Sequence, residues 1–211
     1  CKVIHRINEC DERKGTSGIN KYYIEANKIA DYTVFVSEWL KNTFIKSGFS
    51  SKNNEVIMSG SDSEIFNDDG RLFWDGTEPL KIVTHHWGND LNKGFDIYQY
   101  LDENIQKKFK NKIEFTYIGN TNNNIEFKST NVIQPKSGIE LANLIKKNHI
   151  YLTASINEPS GNHHIEAAQC GLPILYINSG GVTEYCKDYG IEFNDSNLEE
   201  KINEIIEQYE V

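Results

Sequence analysis

HIYLTASINEPSGNHHIEAAQCGLPILYIN, residues 149–178, is the stretch that decides the fold. Its first seven residues are apolar and β-branched enough for a buried parallel strand. HHIEAAQCG then reads as a short helix closed by Gly171 and Pro173. Between them lies an acidic loop, so the order is strand, loop, helix. The first amides of a helix lack intrahelical partners, and the loop at the carboxyl end of a parallel strand is where an open α/β sheet binds an anionic ligand. Glu158 stands on that loop and Glu166 one turn inside the helix. The two carboxylates are expected to face one crevice from opposite sides.

The same alternation continues in both directions. Upstream, KVIHRI reads as a strand, NECDERKGTSG as a polar loop, and residues 19–30 as a helix with Ile24 and Ile29 on one face. YTVFVS is a second strand. Ser37 caps a helix of about ten residues that Gly48 ends, and EVIMSGSD gives a third strand and a turn. FNDDGRLFWDGTEP, with two glycines, a proline and several acids, has the composition of a linker. The pattern restarts with LKIVTHH as a strand, a helix over residues 95–109, IEFTYIG as a strand, an Asn-rich loop at 120–124, VIQP as a short strand and a helix over 139–147. After the opening stretch come a helix over 182–187, a short IEF strand and the helix LEEKINEIIEQY. Strands alternating with helices mean parallel sheets, so the class is α/β. Residues 1–67 are expected to form a partial Rossmann-like domain, 68–78 a linker and 79–211 a whole doubly wound domain. Three strands make only part of such a sheet and the chain starts at Cys1, so a longer parent is expected.

Composition bounds the function. The 211 residues are 38% hydrophobic and 11% aromatic, enough to bury a real core. A net charge of −9 argues against a large nucleic-acid footprint, which needs clustered Lys and Arg. Any phosphate site must therefore be local. The four cysteines have no CxxC spacing and are too sparse for a disulfide framework, so a reducing, cytoplasmic setting is the expectation. No run of about eighteen apolar residues spans a bilayer. Peripheral contact at the inner face of a membrane, through a part beyond this chain, stays open.

The segment ASINEPSGNHHIEAAQCGLPILYINSGGVTEYC resembles the donor-site signature of the group 1, retaining-type glycosyltransferases of the GT-B fold. In that family a Glu-x7-Glu motif precedes a helix, a Cys-Gly-x-Pro turn, a strand and a Gly-Gly-x-x-Glu turn. Glu158, Glu166, Cys170, Gly171, Pro173, Gly180, Gly181 and Glu184 stand here in that order. Spacing alone would also fit two solvated acids flanking a loop; the whole run in register is the specific signal. The resemblance implies two Rossmann-like doubly wound parallel sheets, the amino-terminal one incomplete here. It also implies transfer of a sugar from a nucleotide-diphosphate donor, with retention at the anomeric carbon and attack on the face that the departing phosphate leaves.

The implied site follows residue by residue. The diphosphate would lie on the amides of Ser160, Gly161, Asn162 and His163 and on Lys93, whose Lys-Gly pair is similar to a family phosphate-binding turn. Gly180 and Gly181 would admit the donor, Glu166 would hold the ribose hydroxyls, and Glu158 would contact the donor sugar as the catalytic carboxylate. His86 and Trp87 are further donor-side candidates, Trp87 as a platform for a base or as ordinary packing. The family usually adds an arginine about five residues before the lysine, where Gly88 stands here. Either an imidazole of His85 or His86 substitutes, or Lys93 works with amides alone. Asn8, Glu9, Asp11 and Arg13 are acceptor-side candidates, and His5 is a candidate catalytic group that also fits a core histidine.

No cofactor or metal is required in this scheme, because Lys93 and the helix end neutralise the leaving group. Adjacent His163 and His164 point to different sides of a helix, unlike zinc ligands spaced three to five apart on one face. The acceptor is left open among a glycan, a lipid-linked or a small-molecule hydroxyl. Two alternatives stay beside the transferase: a nucleotide-sugar binding protein without turnover, and a nucleotide-sugar epimerase on the same fold.

Overall fold

The computed structural model describes residues 1–208. A first parallel sheet contains β1 (Ile4–Ile7), β2 (Tyr32–Phe35) and β3 (Asn54–Val56), in that spatial order. Helices α1 (Asp11–Lys14), α2 (Ile19–Asn27) and α3 (Glu38–Lys46) connect them. Ile7, Phe35, Val36, Leu40, Phe44 and Phe49 form its small core. Ser37 caps α3 as expected, its hydroxyl accepting from the Leu40 amide at 3.2 Å.

Two details of this part differ from the sequence pattern. The polar loop contains α1, whose four residues are too few to give a periodic signal. Helix α2 stops at Asn27, so Ile29 lies beyond it and is 78% exposed. The buried residues of α2 are instead Asn20 and Asn27. Asn27 is held by the Thr33 hydroxyl at 2.8 Å and by His5 Nδ1 at 2.9 Å, and Ile24, on the same face as Asn20 and Asn27, packs against the small core as expected.

The second sheet holds six parallel strands: β4 (Leu80–His86), β5 (Ile113–Gly119), β6 (Asn131–Ile133), β7 (Ile150–Thr153), β8 (Ile174–Ile177) and β9 (Gly190–Phe193). Their spatial order is β6-β5-β4-β7-β8-β9. The chain winds outward one way from β4 to β6, then crosses back beside β4 and winds the other way. This is the doubly wound order, with its switch point between β4 and β7. Ile82 pairs with Ile150 and Val83 with Tyr151 across that point. Both strands are buried almost throughout, which is why they read as continuous apolar runs.

Helices cover both faces. On one, α4 (Phe95–Asn104) and α8 (Leu198–Gln208) pack Phe95, Tyr98, Leu101, Leu198 and Ile202 over Phe115, Tyr117 and Leu152. On the other, α5 (Gly138–Ile145), α6 (Asn162–Gln169) and α7 (Val182–Cys186) pack Leu141, Ile145, Ala167 and Val182 over Val83, Ile118 and Tyr151. Tyr209, placed in the last helix by its sequence, lies outside the described residues.

The segment 68–78 is not a free tether. Trp74 is 5% exposed within the core of the second sheet, its indole donating to the Glu78 carbonyl at 2.7 Å, and the Leu72 amide donates to Lys146 O at 2.9 Å. Its glycines and acids gave the composition of a linker, but one tryptophan anchors it. No helix among the described residues is long and apolar enough to cross a membrane.

Candidate functional site

The switch point of the second sheet opens into a cavity of about 740 Å³, within the range of small-molecule sites. Its walls come from both sheets. Lys93 arrives after β4 on a 3₁₀ turn (Leu91–Lys93), and Glu158 arrives after β7. The start of α6 supplies Ser160, Gly161, Asn162, His163 and Glu166, and the first sheet supplies Asn8, Glu9 and Arg13.

The loop carrying Glu158 is fixed by its backbone. The Ile156 amide donates to Asn92 O at 2.7 Å, tying it to the Lys93 turn, and the Asn157 amide donates to the Ser179 hydroxyl at 2.9 Å. Asn157 adopts a φ of 52°, a left-handed conformation that asparagine tolerates better than most residues. Gly181 donates from its amide to Glu158 O at 2.8 Å. A Cβ on Gly180 would stand 2.5 Å from that same carbonyl. Gly180 and Gly181 thus lie under the Glu158 loop and outside the cavity walls. The close approach they permit in this structure is to backbone, and it shapes the loop.

Glu158 is 7% exposed and ionised between two cations. Lys93 Nζ donates to its Oε2 at 2.7 Å, and Arg13 Nε donates to both oxygens at 3.2 Å. Burial opposes the charge, but Lys93 and then Arg13 outweigh it and hold the carboxyl below its usual range. Lys93, 6% exposed, is therefore an interior ammonium and not a surface lysine. Arg13 also donates from Nη1 to Glu9 Oε2 at 2.6 Å.

Glu166 is held differently. His85 Nε2 donates to its Oε2 at 2.9 Å, while His85 Nδ1 is buried without a partner among the described residues. His85 stacks edge-on against Tyr151 at 5.5 Å. His86, expected on the donor side, does line the cavity. Its Nε2, however, lies 2.8 Å from the Tyr98 hydroxyl and 3.2 Å from Thr84 Oγ1. His163 Nε2 lies 2.9 Å from Thr153 Oγ1. Burial, together with neighbouring positive groups, pushes both His86 and His163 well below the ordinary histidine range, so they are neutral. No group of three or more His, Cys, Asp or Glu that could hold a metal occurs among the described residues.

Trp87 is 73% exposed at the cavity mouth, so ordinary packing is not its role. Gly161 starts α6 at a φ of 65°, where a Cβ would stand 2.7 Å from the His163 ring and 2.8 Å from that of His164. Only glycine lets the chain turn there and bring the first amides of α6 to the cavity.

Two candidates are placed elsewhere. Asp11 is outside the cavity: its carboxylate accepts from the amides of Gly18, Ile19 and Asn20 at 2.9–3.0 Å and from the Thr16 hydroxyl at 2.8 Å. It caps α2 from a distance. His5 is also outside, with Nδ1 on Asn27 and its ring edge-on to Tyr23 at 5.9 Å. Burial lowers its basicity, as for a histidine packed under a helix.

Sequence reasoning did not name Lys14, Asp90, Lys136, Ser137, Gly138 or Ile118, which also line the cavity. The last four stand at the carboxyl ends of β5 and β6 and the start of α5, positions that the topology marks but no motif does.

The Glycosyl transferases group 1 family profile matches residues 102–211, just over half of the chain. Among solved structures, Anabaena Alr3699/HepE in complex with UDP and glucose superposes with a TM-score of 0.78 at 15% identity, over 99% of this chain and 62% of that one. Sucrose-phosphate synthase (tll1590) from Thermosynechococcus elongatus gives 0.72 at 16% identity, over 97% and 58%. WaaG, a glycosyltransferase involved in lipopolysaccharide biosynthesis, gives 0.71 at 14%, over 98% and 66%. The chain thus spans less than two thirds of these neighbours, and at such identities the likeness is one of fold. No curated protein matches it. By the extent of the family match, the chain belongs to the group 1 glycosyltransferases.

Proposed function

We propose that the cavity binds a nucleotide-diphosphate sugar and that the whole protein transfers its sugar to an acceptor hydroxyl with retention of anomeric configuration. The observation that carries this reading is the convergence of Lys93, Glu158, Glu166 and the start of α6 on one cavity at the switch point. A diphosphate needs donors and countercharge. The amides of residues 160–163 and the ammonium of Lys93 provide both, in a pocket where a charge-assisted hydrogen bond contributes on the order of 1.5–3 kcal/mol. Glu166, held by His85, has a second oxygen for ribose hydroxyls. Glu158 uses three contacts from two cations and keeps acceptor capacity for a sugar hydroxyl.

In this scheme the protein orients donor and acceptor and stabilises the charge that develops on the departing diphosphate. The acceptor proton passes to that leaving group. HepE was crystallised with UDP and glucose, which favours the same ligand class here. The acceptor, a glycan, a lipid-linked or a small-molecule hydroxyl, would enter past Asn8 and Glu9. A protein that binds a nucleotide sugar without turnover would share every contact named above and differ only in releasing no nucleotide.

Calorimetric titration with a panel of UDP-, GDP- and ADP-sugars tests the binding reading; saturable binding of one of them, accompanied by slow release of nucleoside diphosphate, is expected. Folded protein that binds none of the panel would refute it. Lys93→Ala should weaken the binding roughly ten- to a hundredfold, the loss of one charge-assisted contact.

A further inference from the structure

We infer that Arg13 acts on the donor side, as a second cation for the diphosphate, and not on the acceptor side. This rests on the reading that the cavity takes a nucleotide diphosphate. Helix α1 belongs to the first sheet, yet its backbone is docked onto the two loops of the second sheet that carry Lys93 and Glu158. Asn92 Nδ2, one residue before Lys93, donates to Arg13 O at 2.8 Å. Asn157 Nδ2, one residue before Glu158, donates to Glu12 O at 3.3 Å. Arg13 is thereby brought to the cavity by main-chain contacts that do not involve its own charge.

The guanidinium is only partly used. A guanidinium has five N–H groups. Nε serves Glu158 and Nη1 serves Glu9, while Nη2 has no partner among the described residues. An edge of the planar fork is left for a bidentate contact, which suits phosphate oxygens better than a point charge does.

Charge balance makes the same demand. Lys93 lies 2.7 Å from Glu158, so that pair by itself is neutral toward an incoming anion. Arg13 makes the trio positive, with Glu9 shared between Arg13 and Lys14 at its outer side. Asp90 also lines the cavity and adds a carboxylate to be offset. A diphosphate could draw Lys93 and Arg13 toward itself and leave Glu158 free to accept from the donor sugar. Gly88 carries no side chain, so no cation comes from that position of the β4 loop.

The test is calorimetry with UDP, GDP and ADP to find the diphosphate that binds, then with its monophosphate, on wild type, Arg13→Gln and Arg13→Lys. The expected result is a loss of about tenfold or more in diphosphate affinity for R13Q, with monophosphate affinity changed far less. R13K should recover only part, because it keeps the charge and loses the fork. Unchanged diphosphate affinity in R13Q would overturn the inference. So would equal losses for both nucleotides with a lowered melting temperature, the signature of a residue that merely anchors Glu158. Failure of wild type to bind any of the three would instead refute the proposed function.

Discussion

His164 shows how one buried side chain can set the behaviour of a site with pH. It follows His163 on α6, with the two rings edge-on at 5.0 Å, is 1% exposed, and has no partner for either ring nitrogen among the described residues. Burial, opposed by Glu158 and reinforced by His85 and Lys93, lowers its pKa to about 4. In the unfolded chain the imidazole takes up a proton near pH 6.5. Between that pH and about 4 the unfolded state holds a proton that the folded state refuses, so stability is complete above 6.5 and falls as the pH drops. His86 and His163 act in the same direction. Each such group contributes roughly 1 kcal/mol of loss per pH unit in its window. Only further down do the carboxylates add their share: Asp11, held at about 2, and Glu158 contribute stability that is lost as they protonate. The melting temperature is therefore expected to decline steadily from pH 7 to pH 5. His164→Leu, which removes two unpaired nitrogens and loses no bond, should flatten that slope. A melting temperature independent of pH over this range, in wild type, would contradict the neutral buried cluster.

At the scale of elements, the turn between β4 and α4 is a tight join in the site. Gly94 ends the 3₁₀ turn at a φ of 89°, and a Cβ there would stand 2.5 Å from Ala154 O at the end of β7. Lys93 can approach Glu158 only because these backbones touch. Gly94→Ala should cost roughly 2–4 kcal/mol, the sum of a left-handed L-residue and an overpacked contact. A drop in melting temperature together with weakened diphosphate binding checks it, and a variant as stable as wild type would show that the contact can relax. The Lys-Gly pair was visible in the sequence, as were all six strands of the second sheet, because buried parallel strands and glycine stops leave local signals. Glu158 and Glu166 could be placed on their loop and helix for the same reason. Their partners could not. Arg13 reaches Glu158 across 145 positions and His85 reaches Glu166 across 81, and no spacing rule covers such distances. The capping role of Asp11 was not legible, because a loop acid and a remote helix cap look alike until the chain folds back. Helix α2 was drawn too long because Ile29 matched the period, while two buried asparagines did the anchoring.

Across the whole molecule, the contacts between the two sheets gather around α7 and the Glu158 loop. Glu184 accepts from the amides of Glu38 at 2.8 Å and Trp39 at 2.7 Å, so a residue of the second sheet's own signature caps a helix of the first. Beside it, the Tyr185 hydroxyl donates to Val36 O at 2.7 Å and accepts from the Ser59 amide at 2.8 Å. Gly181 lies against Ser37, where a Cβ would meet the hydroxyl at 2.7 Å. The same short segment, residues 180–185, therefore supports the Glu158 loop on one side and holds α3 on the other. Helix α3 starts with unpaired amides that a carboxylate satisfies by hydrogen bond and by charge against the helix dipole, a cap contribution of about 1 kcal/mol. Removing that carboxylate should loosen the joint more than it destabilises either core, because neither core loses apolar area. Glu184→Ala is thus expected to raise amide hydrogen exchange at residues 38–40 about fivefold, the exchange equivalent of that energy, while exchange in β4 and β7 stays unchanged. Binding of the nucleoside monophosphate to the second sheet should persist, since Glu184 does not line the cavity. Diphosphate affinity and turnover should fall, because Arg13 and Glu9 reach the site only while the first sheet stays docked. Exchange at the start of α3 equal to that of wild type would mean that Tyr185 and Gly181 hold the joint without the carboxylate.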